Sequence, residues 1–201
     1  MSSAPSRSSA DASADAVDDA LTAAALAITE RVQKLGVTNP VIVVDGRSGA
    51  GKTSLARRLV AAWPLHGRVQ LVALDDVYPG WDGLADGAAY AREAILTPHA
   101  KGLVGVWQRW DWEANDRAES YAVDPSLPLI VEGAGVLTPE TARLADISVW
   151  VDAPAGSRRH RALDRDGDSY RPHWKRWAVQ EDRHLEQNNP VSLATLFVRV
   201  P

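Results

Sequence analysis

The sequence predicts a three-layer α/β protein built on a mostly parallel, five-stranded sheet. Short runs rich in β-branched and other apolar residues alternate with helix-like segments, a pattern typical of strands buried on both faces. The runs cover residues 41–44, 69–74, 129–131, 147–151 and 194–200. Four of them are followed at once by acidic residues, namely Asp45, Asp75–Asp76, Glu132 and Asp152. Because ligands bind at the carboxyl ends of parallel strands, these acids favour an active-site rim at that edge.

Composition narrows the functional classes. The chain has 201 residues, of which 45% are hydrophobic and 24% charged, values typical of a globular protein. Its net charge of −4 disfavours a protein that coats nucleic acid or an anionic membrane. Cysteine is absent, which excludes disulfides and thiolate metal sites. No apolar run is long enough to span a bilayer, and residues 1–19 lack the pattern of a secretory signal, so we expect a cytoplasmic protein.

The amino-terminal region divides into two parts. Residues 1–15 are mainly Ser, Ala and Asp, and we predict that they form a disordered tail. From Val17 to Leu35 apolar residues recur every three or four positions, which predicts an amphipathic helix ended by Gly36. Residues 16–201 are therefore predicted to form the folded domain.

A phosphate-binding motif follows the first strand. Residues 46–53 read G-x-x-x-x-G-K-T between a predicted strand and a predicted helix, the setting that this motif requires. Chance would give about 0.002 such matches per shuffled sequence of this composition. The residues assigned to the nucleotide are Gly46, Ser48, Gly49, Ala50, Gly51, Lys52, Thr53 and Ser54.

The residue types of this motif explain its chemistry. Glycines let backbone N–H groups turn inward around a phosphate, and the following helix adds its positive end. Lys52 would reach the β- and γ-phosphates, and the Thr53 hydroxyl would complete the shell of a Mg²⁺ ion. We therefore predict a P-loop NTPase fold that binds ATP and Mg²⁺.

The other strand ends resemble the uridine kinase and phosphoribulokinase group of P-loop kinases over about residues 40–170. Asp75-Asp76-Val77-Tyr78 takes the place of the D-S-F-Y that ends a strand of that family, and residues 110–117 line up with its Y-D-F-x-x-H-x-R segment. Glu132-Gly133 matches its E-G. Val151-Asp152 and the following arginines match its lid, here about residues 155–171. The stretches D-D-x-Y-P-G-W-x-G-L and Y-R-P-H-W are similar to a bacterial subgroup of uridine-kinase-like ATP-binding proteins.

The resemblance implies a role for each matched position. Asp75 would take the proton from the acceptor hydroxyl, and Glu132 would support the metal or the acceptor. Tyr78, Trp110 and Arg117 would hold the acceptor. Arg158, Arg161 and Arg165 would grip phosphate oxygens when the lid closes, a task that suits guanidinium groups. Together with Lys52, these arginines would neutralise charge on the transferred group.

Three departures from the family pattern fall on acceptor recognition more than on ATP. Asn115 stands where the family has its base-reading histidine, Trp110 and Trp112 stand for its aromatic pair, and Ala162 replaces one lid arginine. The expected activity is thus transfer of the ATP γ-phosphate to a hydroxyl of a small metabolite, nucleoside-like or sugar-like. The alternatives are a P-loop ATPase or regulatory switch without a small-molecule acceptor, and a protein that binds ATP without catalysis. The sequence leaves the oligomeric state open, a homodimer included.

Overall fold

The structure is a computed structural model that describes residues 9–201. The strands are β1 Val41–Asp45, β2 Gln70–Ala73, β3 Gly105–Asp111, β4 Asp116–Val123, β5 Leu129–Glu132, β6 Ile147–Asp152 and β7 Leu196–Arg199. The α-helices are α1 Ser9–Leu35, α2 Lys52–Ala61, α3 Leu84–Ala91, α4 Thr97–Ala100, α5 Pro139–Ala142, α6 Ala155–Tyr170, α7 Trp174–Asn188 and α8 Pro190–Leu193. A 3₁₀ turn spans Leu74–Asp76, and a π-helical segment, Arg92–Leu96, joins α3 to α4.

The main sheet confirms the predicted fold class. Its five strands lie in the order β2-β5-β1-β6-β7, and every neighbouring pair is parallel. Each of the five apolar runs forms one of these strands. Since β1 lies at the centre, the loop that follows it emerges between the ends of β5 and β6 at the carboxyl edge.

The three central strands, β5, β1 and β6, are buried on both faces, which explains their apolar runs, whereas the edge strands β2 and β7 are partly exposed. Along β1, Val43 packs into one core together with α3, α7 and the β3–β4 hairpin. Ile42 and Val44 point the other way, into a second core formed with α1 and α2. Alternate side chains of one strand thus hold helices on opposite faces and create the three layers.

The sequence did not predict the antiparallel hairpin formed by β3 and β4. Its strands lie outside the main sheet, and Val106 and Tyr121 are exposed on it. Charged residues such as Arg109 and Glu119 interrupt its apolar positions, so no buried-strand run is visible in this part of the sequence.

The amino-terminal helix begins before the residues that carry its apolar pattern. Leu21, Ile28 and Val32 are buried, as the predicted helix requires, and Gly36 follows with φ 68°. The helix begins at Ser9, inside the segment predicted to be disordered, and residues 1–8 of that segment lie outside the described residues. Alanine is the strongest helix former, so the Ala-rich residues 9–15 extend a helix that packing has already nucleated.

The predicted lid region is mainly helical. Helix α6 covers residues 155–170 and is broken at Gly167, whose φ is 56° and ψ −132°. Helix α7 follows after a short turn and packs back toward the carboxyl edge of the sheet. None of the helices within residues 9–201 is both long and apolar enough to cross a membrane.

Candidate active site

The phosphate loop, residues 46–53, connects β1 to the first residues of α2. At Gly49 the backbone has φ 75°, and a Cβ atom there would lie 2.0 Å from the Arg158 carbonyl oxygen. Only glycine fits this close approach, because any side chain would displace either the loop or α6. The loop therefore lies between α2, which begins at its last two residues, and α6, which it contacts.

Two side chains of the loop project toward the same place. The buried Lys52 donates from Nζ to the Arg47 carbonyl oxygen at 3.3 Å, so its ammonium crosses the loop. The Thr53 hydroxyl donates to Oε1 of Glu132 at 2.8 Å. A hydroxyl from the first turn of α2 and a carboxylate from the end of β5 therefore meet beside the loop.

A small cavity of about 170 Å³ opens against this loop. Its lining residues are Gly49, Gly51, Lys52, Thr53, Ser54, Arg161, Ala162 and Arg165. The loop supplies one wall and α6 the other, so most of the residues predicted to bind nucleotide are brought together with two of the lid arginines. Gly46, Ser48 and Ala50 belong to the loop but do not line the cavity.

Glu132 is a buried carboxylate at the end of β5. Burial raises its pKa, while the nearby Lys52 ammonium and the hydrogen bond from Thr53 act in the opposite direction. A carboxylate and a hydroxyl are oxygen ligands of the kind that Mg²⁺ prefers. Thr53 and Glu132 therefore fit a magnesium site whose remaining ligands would be phosphate and water.

Asp75 lies on the same edge of the sheet, in the turn that follows β2. Its side chain is 62% exposed, and an Oδ2 atom lies 3.9 Å from Nη2 of Arg165. Arg165 is held by Asp166 at 2.6 Å and also lines the phosphate cavity. Arg165 therefore links the Asp75 carboxylate, which is predicted to act as base, to the opening of the phosphate cavity.

An aromatic cluster covers the other side of Asp75. We use this name for Trp81, Trp112, Tyr170, His173 and Trp177. The Trp81 ring stacks on His173 with centroids 4.3 Å apart and lies 4.8 Å from the ring of Trp112. The Trp112 indole donates from Nε1 to the Asp75 carbonyl oxygen at 2.8 Å. The Trp112 ring therefore lies next to the backbone of Asp75 and links the aromatic cluster to this residue.

Three residues predicted to hold the acceptor lie elsewhere. Tyr78 is buried and its hydroxyl donates to the Ala134 carbonyl oxygen at 2.7 Å, so it is a core residue. The Arg117 guanidinium lies over the Tyr90 ring at 3.9 Å. Trp110 is partly buried, with an Nε1 atom that has neither solvent nor a hydrogen-bond partner. Trp112, rather than Trp110, is the tryptophan of this segment that touches Asp75.

Two of the predicted phosphate-gripping arginines hold the loop itself. The buried Arg158 donates to the carbonyl oxygens of Ala153, at 3.1 Å, and Ser48, at 3.3 Å. Arg161 donates from Nε to the Gly49 carbonyl oxygen at 2.8 Å, and its buried Nη2 has no partner. The helical spacing that placed these arginines on one face is correct. Arg158, however, donates to backbone carbonyl oxygens and does not line the cavity.

The acidic rim predicted from four strand ends is correct for the ends of β2 and β5 and wrong for the end of β1. Asp75 and Glu132 face the site, but Asp45 is fully buried beneath it. Its carboxylate accepts hydrogen bonds from the backbone N–H groups of Gly46, Gly135 and Leu137, and contacts the His184 Nε2 atom at 2.9 Å. This carboxylate ties the loop after β5 to the start of the phosphate loop, which is a structural role.

Glu181 on α7 is a site residue that sequence reasoning missed. Its Oε1 accepts from the Ser48 backbone N–H at 2.6 Å, and its Oε2 accepts from Arg47 Nε at 3.0 Å. Lone acids are common on exposed helix faces, and no motif marks this one.

A larger cavity of about 450 Å³ lies farther along α7, against α3 and α5, and shares no lining residue with the phosphate loop.

The fold and the site together define a P-loop kinase: a parallel sheet, a phosphate loop at the end of its central strand, and a carboxylate beside it. The chain is similar to a uridine kinase of Streptococcus mutans, with 30% identity over 143 residues that cover 63% of this chain and 68% of that protein. It therefore belongs to the uridine kinase family of small-molecule P-loop kinases. No protein-family model matches the chain.

Solved structures share the fold at lower identity. A possible uridine kinase from Bacillus stearothermophilus superimposes with a TM-score of 0.65 and 19% identity, covering 90% of this chain and 98% of that one. A protein assigned as a fructose transport system kinase, from Silicibacter sp. TM1040, gives a TM-score of 0.55 at 17% identity, with coverages of 88% and 98%. These matches confirm the predicted P-loop kinase fold.

Proposed function

We propose that this kinase transfers the γ-phosphate of ATP, with Mg²⁺, to a hydroxyl of a small nucleoside-like or sugar-like metabolite. The observation that carries the proposal is the meeting of two groups at one edge of the sheet. The phosphate cavity with Lys52 and Thr53 lies on one side, and the Asp75 carboxylate beside an aromatic cluster lies on the other. Phosphoryl transfer needs this arrangement, since the enzyme mainly positions the two substrates and neutralises charge.

The nucleotide would lie along the phosphate loop. Backbone N–H groups and the start of α2 favour the phosphates, Lys52 neutralises charge on the transferred group, and Arg161 and Arg165 face the same cavity. Thr53 and Glu132 would hold Mg²⁺, which would offset negative charge on the phosphates. Arg161 Nη2, buried without a partner, is suited to donate to a phosphate oxygen.

The acceptor would lie between Asp75 and the aromatic cluster. The Asp75 carboxylate takes the proton of the acceptor hydroxyl while that oxygen forms a bond to the γ-phosphorus and the bond to the ADP oxygen breaks. The products are the phosphorylated acceptor, ADP and the proton left on Asp75. The Trp112 side chain, 39% exposed, offers apolar surface to a sugar or a base, and Trp81 packs against it and against His173.

The relative from Streptococcus mutans is a uridine kinase, so uridine is the first acceptor to test. Asn115 is close to Gly80 at the edge of the aromatic cluster, and an amide there can both donate and accept hydrogen bonds. That chemistry suits a polar edge of a base or a sugar equally well, which keeps the acceptor class wider than pyrimidine nucleosides.

The decisive experiment measures ADP release with MgATP alone and with a panel of nucleosides, sugars and small alcohols. We expect release that depends on one class of acceptor, together with a phosphorylated product detected by mass spectrometry. Release that is independent of every acceptor would establish the ATPase alternative. ATP binding without release under any condition would establish a binding protein instead.

A further inference from the structure

Helix α7 contacts two residues of the phosphate loop, Arg47 and Ser48. Glu181 is only 3% exposed, and its two oxygens accept from different loop groups, the Ser48 backbone N–H and the Arg47 guanidinium. Arg47 also donates to the Ala178 carbonyl oxygen at 3.3 Å and pairs with Asp182 at 2.7 Å. A buried carboxylate is stable here because a guanidinium and a backbone donor satisfy it together.

This contact controls the conformation of the loop at Ser48. The Ser48 N–H donates to Glu181 and its carbonyl oxygen accepts from Arg158, so the two peptide groups that flank the Ser48 Cα are held from outside the loop. Within the loop, the Ala50 N–H donates to the Arg47 carbonyl oxygen at 3.1 Å and closes a turn. A loop held in this way has already lost conformational freedom that nucleotide binding would otherwise have to remove.

The same helix also holds the turn 80–84, which carries Trp81 of the aromatic cluster. Gln180, next to Glu181, donates to the Trp81 carbonyl oxygen at 2.8 Å and accepts from the Leu84 N–H at 3.2 Å. Arg176 forms an ion pair with Asp82, and the Trp177 ring packs edge-on against Trp81. One helix thus binds the nucleotide loop and the acceptor wall with adjacent residues.

We propose that Glu181 is a positioning residue that presets the phosphate loop for nucleotide and, through α7, couples nucleotide binding to the order of the turn 80–84. This inference rests on the proposed function, because the turn matters only if it walls the acceptor site. Coupling of this kind is reciprocal: whatever releases Glu181 from Ser48 weakens nucleotide binding by the same factor by which nucleotide strengthens the contact.

The test compares Glu181→Gln with Asp182→Asn by calorimetric titration with ADP. Both variants remove one carboxylate charge from Arg47, but only Glu181 reaches Ser48, and Asp182 is 56% exposed on its outer side. Loss of a buried charge-assisted hydrogen bond should weaken ADP binding about tenfold in E181Q. The D182N variant should change it less than about twofold, as expected for an exposed ion pair.

A second readout separates positioning from simple loss of structure. Hydrogen exchange of the turn 80–84 and of residues 174–184 is measured in wild type with and without saturating ADP. We expect ADP to slow exchange in the turn, and we expect that effect to disappear in E181Q even when ADP is raised to saturation. If E181Q does not fold, the wild-type exchange data still test the coupling, because a turn that ADP does not protect overturns it.

Three results overturn the inference. Equal ADP affinity in E181Q and D182N removes the role of Glu181, and ADP protection confined to residues 46–61 removes the coupling. Wild-type protein that binds no ADP overturns the proposed function as well. Since both readouts use ADP without an acceptor, a wild type that phosphorylates an acceptor while E181Q behaves like D182N would contradict this inference alone.

Discussion

Glu132 and Asp75 are carboxylates in opposite environments at one edge of the sheet. Glu132 is buried against Lys52 and Thr53, whereas Asp75 is mostly exposed and meets Arg165 across 3.9 Å. A buried acid suits metal and phosphate chemistry in a site sheltered from water, and an exposed one can be reached by an incoming hydroxyl. The difference in burial gives each residue its proposed task.

Replacement of Asp75 by Asn tests the proposed base. The amide keeps the shape of the side chain but cannot accept a proton, so we expect acceptor phosphorylation to fall by at least about 100-fold, within the range of general base catalysis. ATP affinity should change little, because the phosphate cavity is intact. Steady-state kinetics with the identified acceptor check this, with Asp86→Asn on the exposed side of α3 as control. Turnover equal to wild type would exclude Asp75 as the base.

Replacement of Lys52 by Ala tests the phosphate loop. Removal of the ammonium that crosses the loop should weaken ATP binding roughly 10- to 100-fold, the value of a charged hydrogen bond, and abolish transfer. Calorimetric titration measures the affinity, and Lys101→Ala in the exposed turn after α4 should leave it unchanged. Tight ATP binding by K52A would contradict the assignment of the loop.

Replacement of Glu132 by Gln should separate stability from activity. Because burial raises the pKa of Glu132 in the folded protein, the charged form is disfavoured there, and the folded state is less stable above the unfolded pKa. Neutral Gln removes that cost, so the melting temperature at pH 7 should rise by about 2–4 °C, equivalent to roughly 1 kcal/mol.

The same substitution should lower MgATP-dependent turnover, because the carboxylate that we propose as a metal ligand is lost. In wild type, kcat/KM should fall as the pH drops through the raised pKa of Glu132, and this acid limb should be absent from any residual activity of E132Q. Differential scanning calorimetry measures the change in melting temperature, and a pH profile of kcat/KM measures the acid limb. A lower melting temperature with full activity would show that Glu132 is only a structural partner of Thr53.

At the scale of elements, the phosphate loop depends on α6 and α7 as much as on β1 and α2. Arg158 and Arg161 on α6 bind loop carbonyls, and Glu181 on α7 binds a loop amide. The loop conformation is thus determined by two helices more than 100 residues farther along the chain.

Gly49→Ala tests this packing. The added methyl group would lie 2.0 Å from the Arg158 carbonyl oxygen at a φ of 75°, so either the loop or α6 must move. We expect ADP affinity to fall at least tenfold and the protein to lose about 1–3 kcal/mol, the typical cost of such strain. Gly156→Ala, on the open face of α6, is the control and should be neutral or stabilising by about 0.5 kcal/mol. Equal behaviour of the two variants would contradict the close packing of loop and lid.

Local patterns predicted some elements and could not predict others. The five strands of the main sheet were visible because each carries a short, mostly apolar run, and the phosphate loop because its residue types are fixed by its chemistry. The hairpin was not visible, since one of its faces is exposed and charges interrupt it. Glu181 was not visible either, since it lies 133 residues from Ser48 and only the tertiary fold brings them together. Tyr78 was assigned to the acceptor by resemblance, but its hydroxyl satisfies a buried carbonyl instead.

At the scale of the whole molecule, α1 is part of the core that supports the nucleotide site. Its buried residues pack with Leu55 and Leu59 of α2, the helix that begins at Lys52, and with Val198 of β7. The two cores on either side of the sheet therefore meet at the strand that carries the loop.

Ile28→Ala tests this contribution of α1. Ile28 is completely buried, so the cavity left behind should lower the free energy of unfolding by about 2–5 kcal/mol. ADP affinity measured well below the melting temperature should stay near wild type, because Ile28 does not line the site. Denaturant unfolding measures the loss, and Leu26→Ala, at a residue 58% exposed, should cost less than about 0.5 kcal/mol. Equal losses would place α1 outside the cooperative core.

The distance along the chain between Ser48 and Glu181 also bears on biosynthesis. At about 5–20 residues per second, a ribosome needs roughly 7–27 s to add the 133 residues that separate them. Throughout that interval the nascent protein carries a complete motif without the carboxylate that holds it. The phosphate loop thus acquires its contacts with α7 late in translation, after the carboxy-terminal helices have emerged and docked.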